Sequence, residues 1–263
     1  MFKLYHNAFS TCAQKVRFVF AEKELNFESH EIDLLAGDQH QDWYVKLNPK
    51  HVVPTIEHNG KVLTESSLII QYLDAVSDKN PMTPNAPYDR YLMGKWIRLI
   101  DDAVHPAAPI VTFAIGPRPM ILQQPKEVRE TTIAAMPSAK AREIRRSVLE
   151  HGVKAPEFAD ALKTFISMLD SMDAVLADSK WLGGDAPSLA DASVMPYVVR
   201  LEHMALGRLF DGGNRPNVRR WYTDLTALPT FKTSVADWAP DAIVALFKQN
   251  GEEAWPDIEP QLQ

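Results

Sequence analysis

Apolar and polar residues alternate through "FKLYH", with Phe2, Leu4 and His6 on one face, and this two-residue period predicts a first strand. The period then changes. From Ser10 onward, Cys12, Val16, Val19 and Phe20 recur at helical spacing and predict a helix with Lys15 and Arg17 facing outward. "NFESHEIDL" reads as a second strand, and "GDQHQDWYVKLNPK" as a loop with one helical turn that ends at Asn48-Pro49. "VVPTIEH" and "KVLTES" are β-rich runs joined by Asn59-Gly60, the strongest short hairpin signal. "SSLIIQYLDAVS" is an apolar helix entered through a Glu-Ser-Ser cap, with Ser66 as the capping residue.

Strand signals stop after this β-α-β and β-β-α series. "DKNPMTPNAPYD" is rich in Pro, Asn and Asp and reads as a linker. Residues 88–115 form a long amphipathic pattern, kinked near Pro106 and Pro109. Residues 117–137, with several prolines, read as an irregular excursion. Residues 139–178 read as one or two helices, "SLADASVMPYVVRLEHMA" as another entered through the capping pair Ser188 and Asp191, and "NVRRWYTDLTALPTF" as a shorter one. The expected organisation is a small α/β domain over 1–78, a linker over 79–87 and an all-helical domain over 88–263.

Composition narrows the function classes. Apolar residues make up 46% of the 263, enough for an ordinary core, and a charged fraction of 24% argues against wholesale disorder. The net charge is −6 with no basic block, which argues against nucleic acid as a partner. A single cysteine, Cys12, excludes a disulfide framework and any CxxC dithiol. No run approaches the ~18 apolar residues that span a bilayer, and no leader precedes the first strand, so a cytoplasmic protein without a membrane partner is expected. The eight histidines are scattered without HExxH, and no metal site is expected.

Three features could carry chemistry. Ser10, Thr11 and Cys12 stand at a strand-to-helix turn, where helix N–H groups and the helix dipole favour a thiolate. The plainer reading of the same residues is Ser10 as an N-cap and Cys12 as a small buried side chain. Val53-Pro54 opens a strand, and a cis bond there would leave the Val53 backbone groups open to an extended peptide. Glu65 and Ser66 begin a helix and together could hold the ammonium and carboxylate of an amino-acid head group, or could simply cap it.

In this order and spacing the features resemble the glutathione transferases. "STCAQKVR" is similar to the "SSCSWRVR" turn of the zeta class, and to the "CPFAER" turn of the omega class with Ser in place of Cys. "LNPKHVVPTIEHNGKVLTESSLIIQYL" is similar to the family's "NPxGxVPxLxxxGxxxxES.AIxxYL" stretch, and "SLADASVMPYV" to its second-domain capping box. The resemblance implies a thioredoxin-like α/β N-terminal domain, an all-α C-terminal domain and glutathione as co-substrate. It implies that Ser10 faces the glutathione sulfur, with Thr11 in reserve and Cys12 a packed bystander. It implies that Val53, before Pro54, pairs with the cysteinyl part, that Glu65 and Ser66 hold the γ-glutamyl end, and that Gln39, His40 and Lys50 meet the glycine end. His51-Val52 stand where many members have Gly then Gln or Lys, so the glycine end departs most from the pattern.

The implied reaction is attack of the glutathione thiolate on an electrophilic, hydrophobic, aromatic small molecule, in a pocket between the domains to which His105, Ile110 and Phe113 contribute. The implied assembly is a homodimer. A narrower resemblance, to bacterial glutathione-dependent β-etherases of lignin degradation, implies cleavage of aryl ethers in a slot for two rings near Tyr91, Trp96 and Phe113, under a lid formed by 117–137. The contrasting expectation is a non-catalytic binding protein of the same fold.

Overall fold

The computed structural model describes residues 1–262 apart from Leu35 and Pro137, so the last position of the expected 117–137 excursion lies outside the described residues. The chain forms two compact units from alternating segments: 1–98, 175–196 and 220–240 in one, and 99–174, 197–219 and the chain from Asp241 on in the other.

The first unit is built on a four-stranded sheet in the order β2-β1-β3-β4, from β1 (Phe2–His6), β2 (Phe27–Glu31), β3 (Thr55–His58) and β4 (Lys61–Leu63). β1 and β2 are parallel because helix α1 (Thr11–Glu22) crosses between them, whereas β3 pairs antiparallel with both β1 and β4. Asn59 and Gly60 take φ of 51° and 74°, the left-handed pair that a two-residue hairpin needs. Between β2 and β3 runs α2 (Asp42–Leu47), preceded by a 3-10 turn at Asp38–His40, so the expected loop holds more helix than one turn. α3 (Ser66–Ala75) closes the β-α-β-α-β-β-α series.

α1 is where the sequence expectation fails. Lys15 and Arg17 do not face outward: every residue from Ala13 to Phe20 is buried. The helix lies between the sheet and α3 on one side and α12 (Pro229–Ser234) on the other, so it has no solvent face along this stretch. Lys15 Nζ donates to Ser67 Oγ of α3 at 2.9 Å, and Arg17 Nε donates to the Ser234 carbonyl of α12 at 2.8 Å. Both cationic side chains find oxygen acceptors inside.

The expected linker is also anchored. Met82 is buried, its N–H donates to Asp74 Oδ1, and its carbonyl accepts from Leu189 N–H at the start of α10 (Leu189–His203). Beside it, Asp191 is fully buried, as the capping pair requires. Its two oxygens accept from Ser188 N–H, Ser188 Oγ, Leu182 N–H and Trp221 Nε1, all within 2.9 Å. One carboxylate thus ties the start of α10, the preceding loop and α11 (Pro216–Thr226).

α4 (Pro87–Leu99) ends the first segment of the first unit, and the second unit begins with a π turn, Ile100–Val104, that leads into α5 (His105–Ile115), with His105 N–H donating to the Ile100 carbonyl. The expected kink near Pro106 and Pro109 is this widened turn. The excursion is not irregular: it holds α6 (Arg118–Leu122) and α7 (Lys126–Ala134), each started by a proline where a helix needs no N–H. α8 (Ala139–His151), α9 (Pro156–Leu176) and α13 (Asp241–Ile258) complete the unit. Its core is apolar, with Phe158, Leu162, Phe165 and Leu169 along one stripe of α9. At Gly251 of α13 a Cβ would collide with the Met204 carbonyl, so only glycine permits that close approach. No described helix is long and apolar enough to cross a membrane.

Asp191→Ala should leave four buried donors without their acceptor and destabilise the fold by about 3–5 kcal/mol, against about 1 kcal/mol for the cap variant Ser188→Ala. Urea unfolding measures both. Equal, small effects would show that the carboxylate is not the joint between these segments.

Candidate functional site

Ser10 is half-buried at the N-terminus of α1, with extended backbone (φ −69°, ψ 126°), and its Oγ accepts from Ala13 N–H at 3.3 Å. This is a regular N-cap, and it leaves the hydroxyl hydrogen free to turn outward. Thr11 and Cys12 are also half-buried, in the first turn of the helix.

The loop that carries Ser10 is held from below. Arg17 sends Nη1 to the Asn7 carbonyl at 3.3 Å and Nη2 to the Ala8 carbonyl at 2.8 Å, and Ser10 N–H in turn donates to the Asn7 carbonyl. Arg17 Nη1 also lies 3.0 Å from His6 Nδ1, and the guanidinium stacks on Trp238 at 4.9 Å. A guanidinium only donates, so His6 Nδ1 must accept, and its hydrogen sits on Nε2, which reaches Ser29 Oγ at 2.8 Å. Burial, together with the Arg17 charge, pushes the His6 pKa down to about 3, and burial pushes the Arg17 guanidinium down to about 9, still charged at neutral pH.

The second segment is the loop before β3. The Val53-Pro54 bond is cis, and Val53 and Pro54 are buried. Tyr44 Oη and Asn48 Nδ2 both donate to the Val52 carbonyl, at 2.7 and 2.9 Å, and Asn48 Nδ2 also reaches Thr55 Oγ1. The loop is therefore fixed on either side of Val53. Among the described residues neither the N–H nor the C=O of Val53 has a hydrogen-bond partner, and such groups call for one.

The third segment is the start of α3. Glu65, not Ser66, occupies the N-cap position; it makes no side-chain cap bond and has φ +66°, a strained conformation for a residue with a Cβ. Ser66 is the first residue of the helix. Glu65 reaches Lys50 Nζ at 2.6 Å across exposed surface. Lys50 and Glu65, expected at opposite ends of one ligand, are thus in direct contact.

Gln39 and His40 follow in the 3-10 turn. Gln39 Nε2 donates to the Leu34 carbonyl, whereas its buried Oε1 has no partner among the described residues. His40 Nδ1 lies 3.1 Å from His51 Nδ1. His51, with φ +57°, stands beside the expected site residue His40, and in the sequence it showed only as a departure from the family pattern. Lys15, Arg17, Tyr44 and Asn48 were missed as supports; only Asn48, in "LNP", stood inside a motif.

The expected pocket residues fare unequally. Ile110 and Phe113 line a cavity of about 170 Å³ in the second unit, between α5 and α8. His105 does not line it; its Nδ1 is 3.0 Å from Tyr197 Oη. Trp96 is buried in the first unit and Tyr91 is exposed. The excursion is no free lid: Arg118 donates to the carbonyls of Leu149 and Glu150, and Met136 is the one described residue of 117–137 in the cavity wall.

Comparison with known proteins agrees with this geometry. Residues 9–76 match the family described as "Glutathione S-transferase, N-terminal domain", and residues 155–224 match "Glutathione S-transferase, C-terminal domain". A glutathione S-transferase of Hyoscyamus muticus is 29% identical over 89% of this chain and 97% of its own. The structure of the β-etherase LigF from Sphingobium sp. strain SYK-6 superposes with a TM-score of 0.78, at 24% identity over 90% of this chain and 99% of its own. A theta-class glutathione S-transferase from Xanthomonas axonopodis pv. citri, solved with glutathione bound, gives a TM-score of 0.63 at 20% identity, over 89% and 96% of the two chains.

The neutral His6 generates a pH prediction. Its folded pKa of about 3 lies below the ordinary 6.5, so the unfolded chain binds the extra proton first as pH falls. The stability it contributes is present above about pH 6.5 and is lost as pH falls toward 3. His6→Asn should flatten the decline in unfolding free energy between pH 7 and 4, measured in urea. Parallel declines for both proteins would show that His6 is protonated in the folded state.

Proposed function

Since the chain belongs to the glutathione S-transferase superfamily and uses glutathione as its co-substrate, we propose that Ser10 is the residue that holds the glutathione sulfur as a thiolate. One observation carries this reading: the Ser10 hydroxyl caps a twelve-residue helix on a loop locked by Arg17, with its hydrogen free to donate. The hydrogen bond and the positive helix end both favour a thiolate over a thiol. A shift of roughly two pKa units needs about 3 kcal/mol, within reach of one charged hydrogen bond and the dipole. Thr11 is the neighbouring hydroxyl, and Cys12 packs without a chemical role.

The remaining residues bind and orient. The unpaired peptide of Val53, before Pro54, receives the cysteinyl backbone in the manner of an added strand. Glu65 faces the γ-glutamyl ammonium, and Ser66, at the helix start, faces its carboxylate. Lys50 aligns Glu65, while the free Gln39 Oε1 side and His40 serve the glycine end. The electrophile is a compact hydrophobic molecule, for which Ile110 and Phe113 supply wall. A homodimer is supported by large apolar side chains left exposed on the first unit, among them Val52, Leu68 on α3, and Tyr88 and Tyr91 on α4. A second reading, aryl ether cleavage, is favoured by the likeness to LigF and uses the same thiolate, differing only in its phenolate leaving group.

Ser10→Ala should lower kcat at least ten-fold, about 1.4 kcal/mol, and raise the pKa of bound glutathione, read from thiolate absorbance across pH. Cys12→Ala should change kcat by less than about two-fold. The reverse pattern would exchange the two roles, and no glutathione-dependent turnover at all would favour the non-catalytic protein. A β-aryl ether dimer offered beside an aryl halide separates the two electrophile classes by whether phenol is released.

In sedimentation the protein should run at twice its 29.6 kDa chain mass, and Leu68→Arg should shift it toward the monomer. A wild-type monomer at micromolar concentration would remove the dimer.

A further inference from the structure

The cavity in the second unit holds a charge that none of the described residues answers with an ion pair or a hydrogen bond. Its walls are Pro106, Pro109, Ile110 and Phe113 from α5, and Ile144 and Val148 from α8. Into this apolar space α8 also presents Arg145, whose guanidinium carbon lies 3.6 Å from the centroid of the Phe113 ring. Among the described residues Arg145 has no ion-pair and no hydrogen-bond partner. The contrast with its neighbours on the same helix is informative: Arg142 donates to the Met136 carbonyl at 2.6 Å, and Arg146 makes two bonds of 3.2 Å to Glu130. The other cations facing protein in this stretch have found acceptors; the one facing the cavity has not.

Stacking on Phe113 offsets part of the lost hydration on one face of the guanidinium. Its in-plane N–H groups remain, and they match the two oxygens of a carboxylate. Burial moves the Arg145 pKa downward, the direction expected of a cation short of both water and partners. Size sets the second half of the argument. An apolar cavity of roughly 150 Å³ holds a benzene molecule. The 170 Å³ here therefore suits one aromatic ring, not the two that the ether-cleaving resemblance implies.

We propose that this cavity binds a single-ring aromatic carboxylate, with the ring against Ile110, Phe113 and Ile144 and the carboxylate paired with Arg145. This deepens the reading above, on which it rests for one point only: that the molecule so held is the electrophile glutathione attacks. The site gives the transferase a preference for acidic substrates over neutral ones of the same shape. Removing the charge partner costs more than removing a methylene, because a half-buried guanidinium left unpaired disfavours the neutral analogue.

The test compares phenylacetate with phenylacetamide, alike in shape and different in charge, by isothermal titration without glutathione. The wild-type protein should bind the acid at least ten-fold more tightly than the amide. Arg145→Gln should abolish that preference, Arg145→Lys should retain part of it, and Ile110→Trp, which fills the cavity, should remove binding of both. Equal binding of acid and amide, binding of neither, or a preference that survives Arg145→Gln would each overturn the proposal. The same titration on Ser10→Ala keeps the two readings apart, since it should show the full preference for the acid whether or not that protein turns over glutathione.

Discussion

The buried Arg17 guanidinium is the constraint from which the first unit is organised. It sits in the middle of α1, reached by no water, and it must spend its N–H groups inside the protein. It does so on the carbonyls of Asn7, Ala8 and Ser234 and on His6 Nδ1. Those four acceptors belong to the end of β1, the loop that leads to Ser10, and α12, more than two hundred residues away in the chain. A buried charge without such partners costs several kcal/mol, so any arrangement that moved one of the three segments would leave the guanidinium short. The geometry of the Ser10 loop is thereby a consequence of solvating one cation, and neutral His6 is a consequence of the same cation beside it.

The other two segments of the proposed glutathione-binding site are held by the same logic with different chemistry. Tyr44 and Asn48 converge on the Val52 carbonyl, so the strand-entry loop is fixed through its neighbours while the Val53 peptide stays open. Lys15 reaches from α1 to Ser67 and fixes the first turn of α3, where Glu65 is held in strained backbone. Among the described residues the groups proposed to face the ligand are left unpaired or strained, and the groups behind them are hydrogen-bonded. That division is what allows a site to wait in its binding conformation, since the ordering cost has been met by contacts the ligand does not make.

How much of this was legible in the sequence follows from the range of the interactions. Features set by neighbours in the chain were readable: the alternation of β1, the Asn59-Gly60 hairpin, the Ser188–Asp191 cap and Pro54 at the strand entry. Lys15 and Arg17 were not, because helical periodicity assumes one buried face, and the partner that covers the second face, α12, is supplied from position 229 onward. The proline-rich stretch after 117 was misread for the opposite reason. Prolines break helices in their interior but start them at the first turn, and α6 and α7 use them only there. Glu65 took the cap position from Ser66 because backbone strain at one residue leaves no trace in composition or pattern.

The cavity of the second unit has its origin in a backbone irregularity. Pro106 and Pro109 carry no N–H, so neither can donate to a carbonyl four residues back as a regular helix residue would. The chain answers with a π turn, in which His105 donates five residues back to Ile100, and α5 leaves on a new path. A helix with a missing bond cannot lie flat against its neighbour at that point, and both prolines form part of the cavity wall opposite α8. Widened turns of this kind gather at functional sites because they cost stability that selection would otherwise remove. Here the two helix prolines and Arg145 lie on the same cavity. Two features that each oppose stability, placed together, are better explained by a ligand that uses both than by packing, which would have used neither.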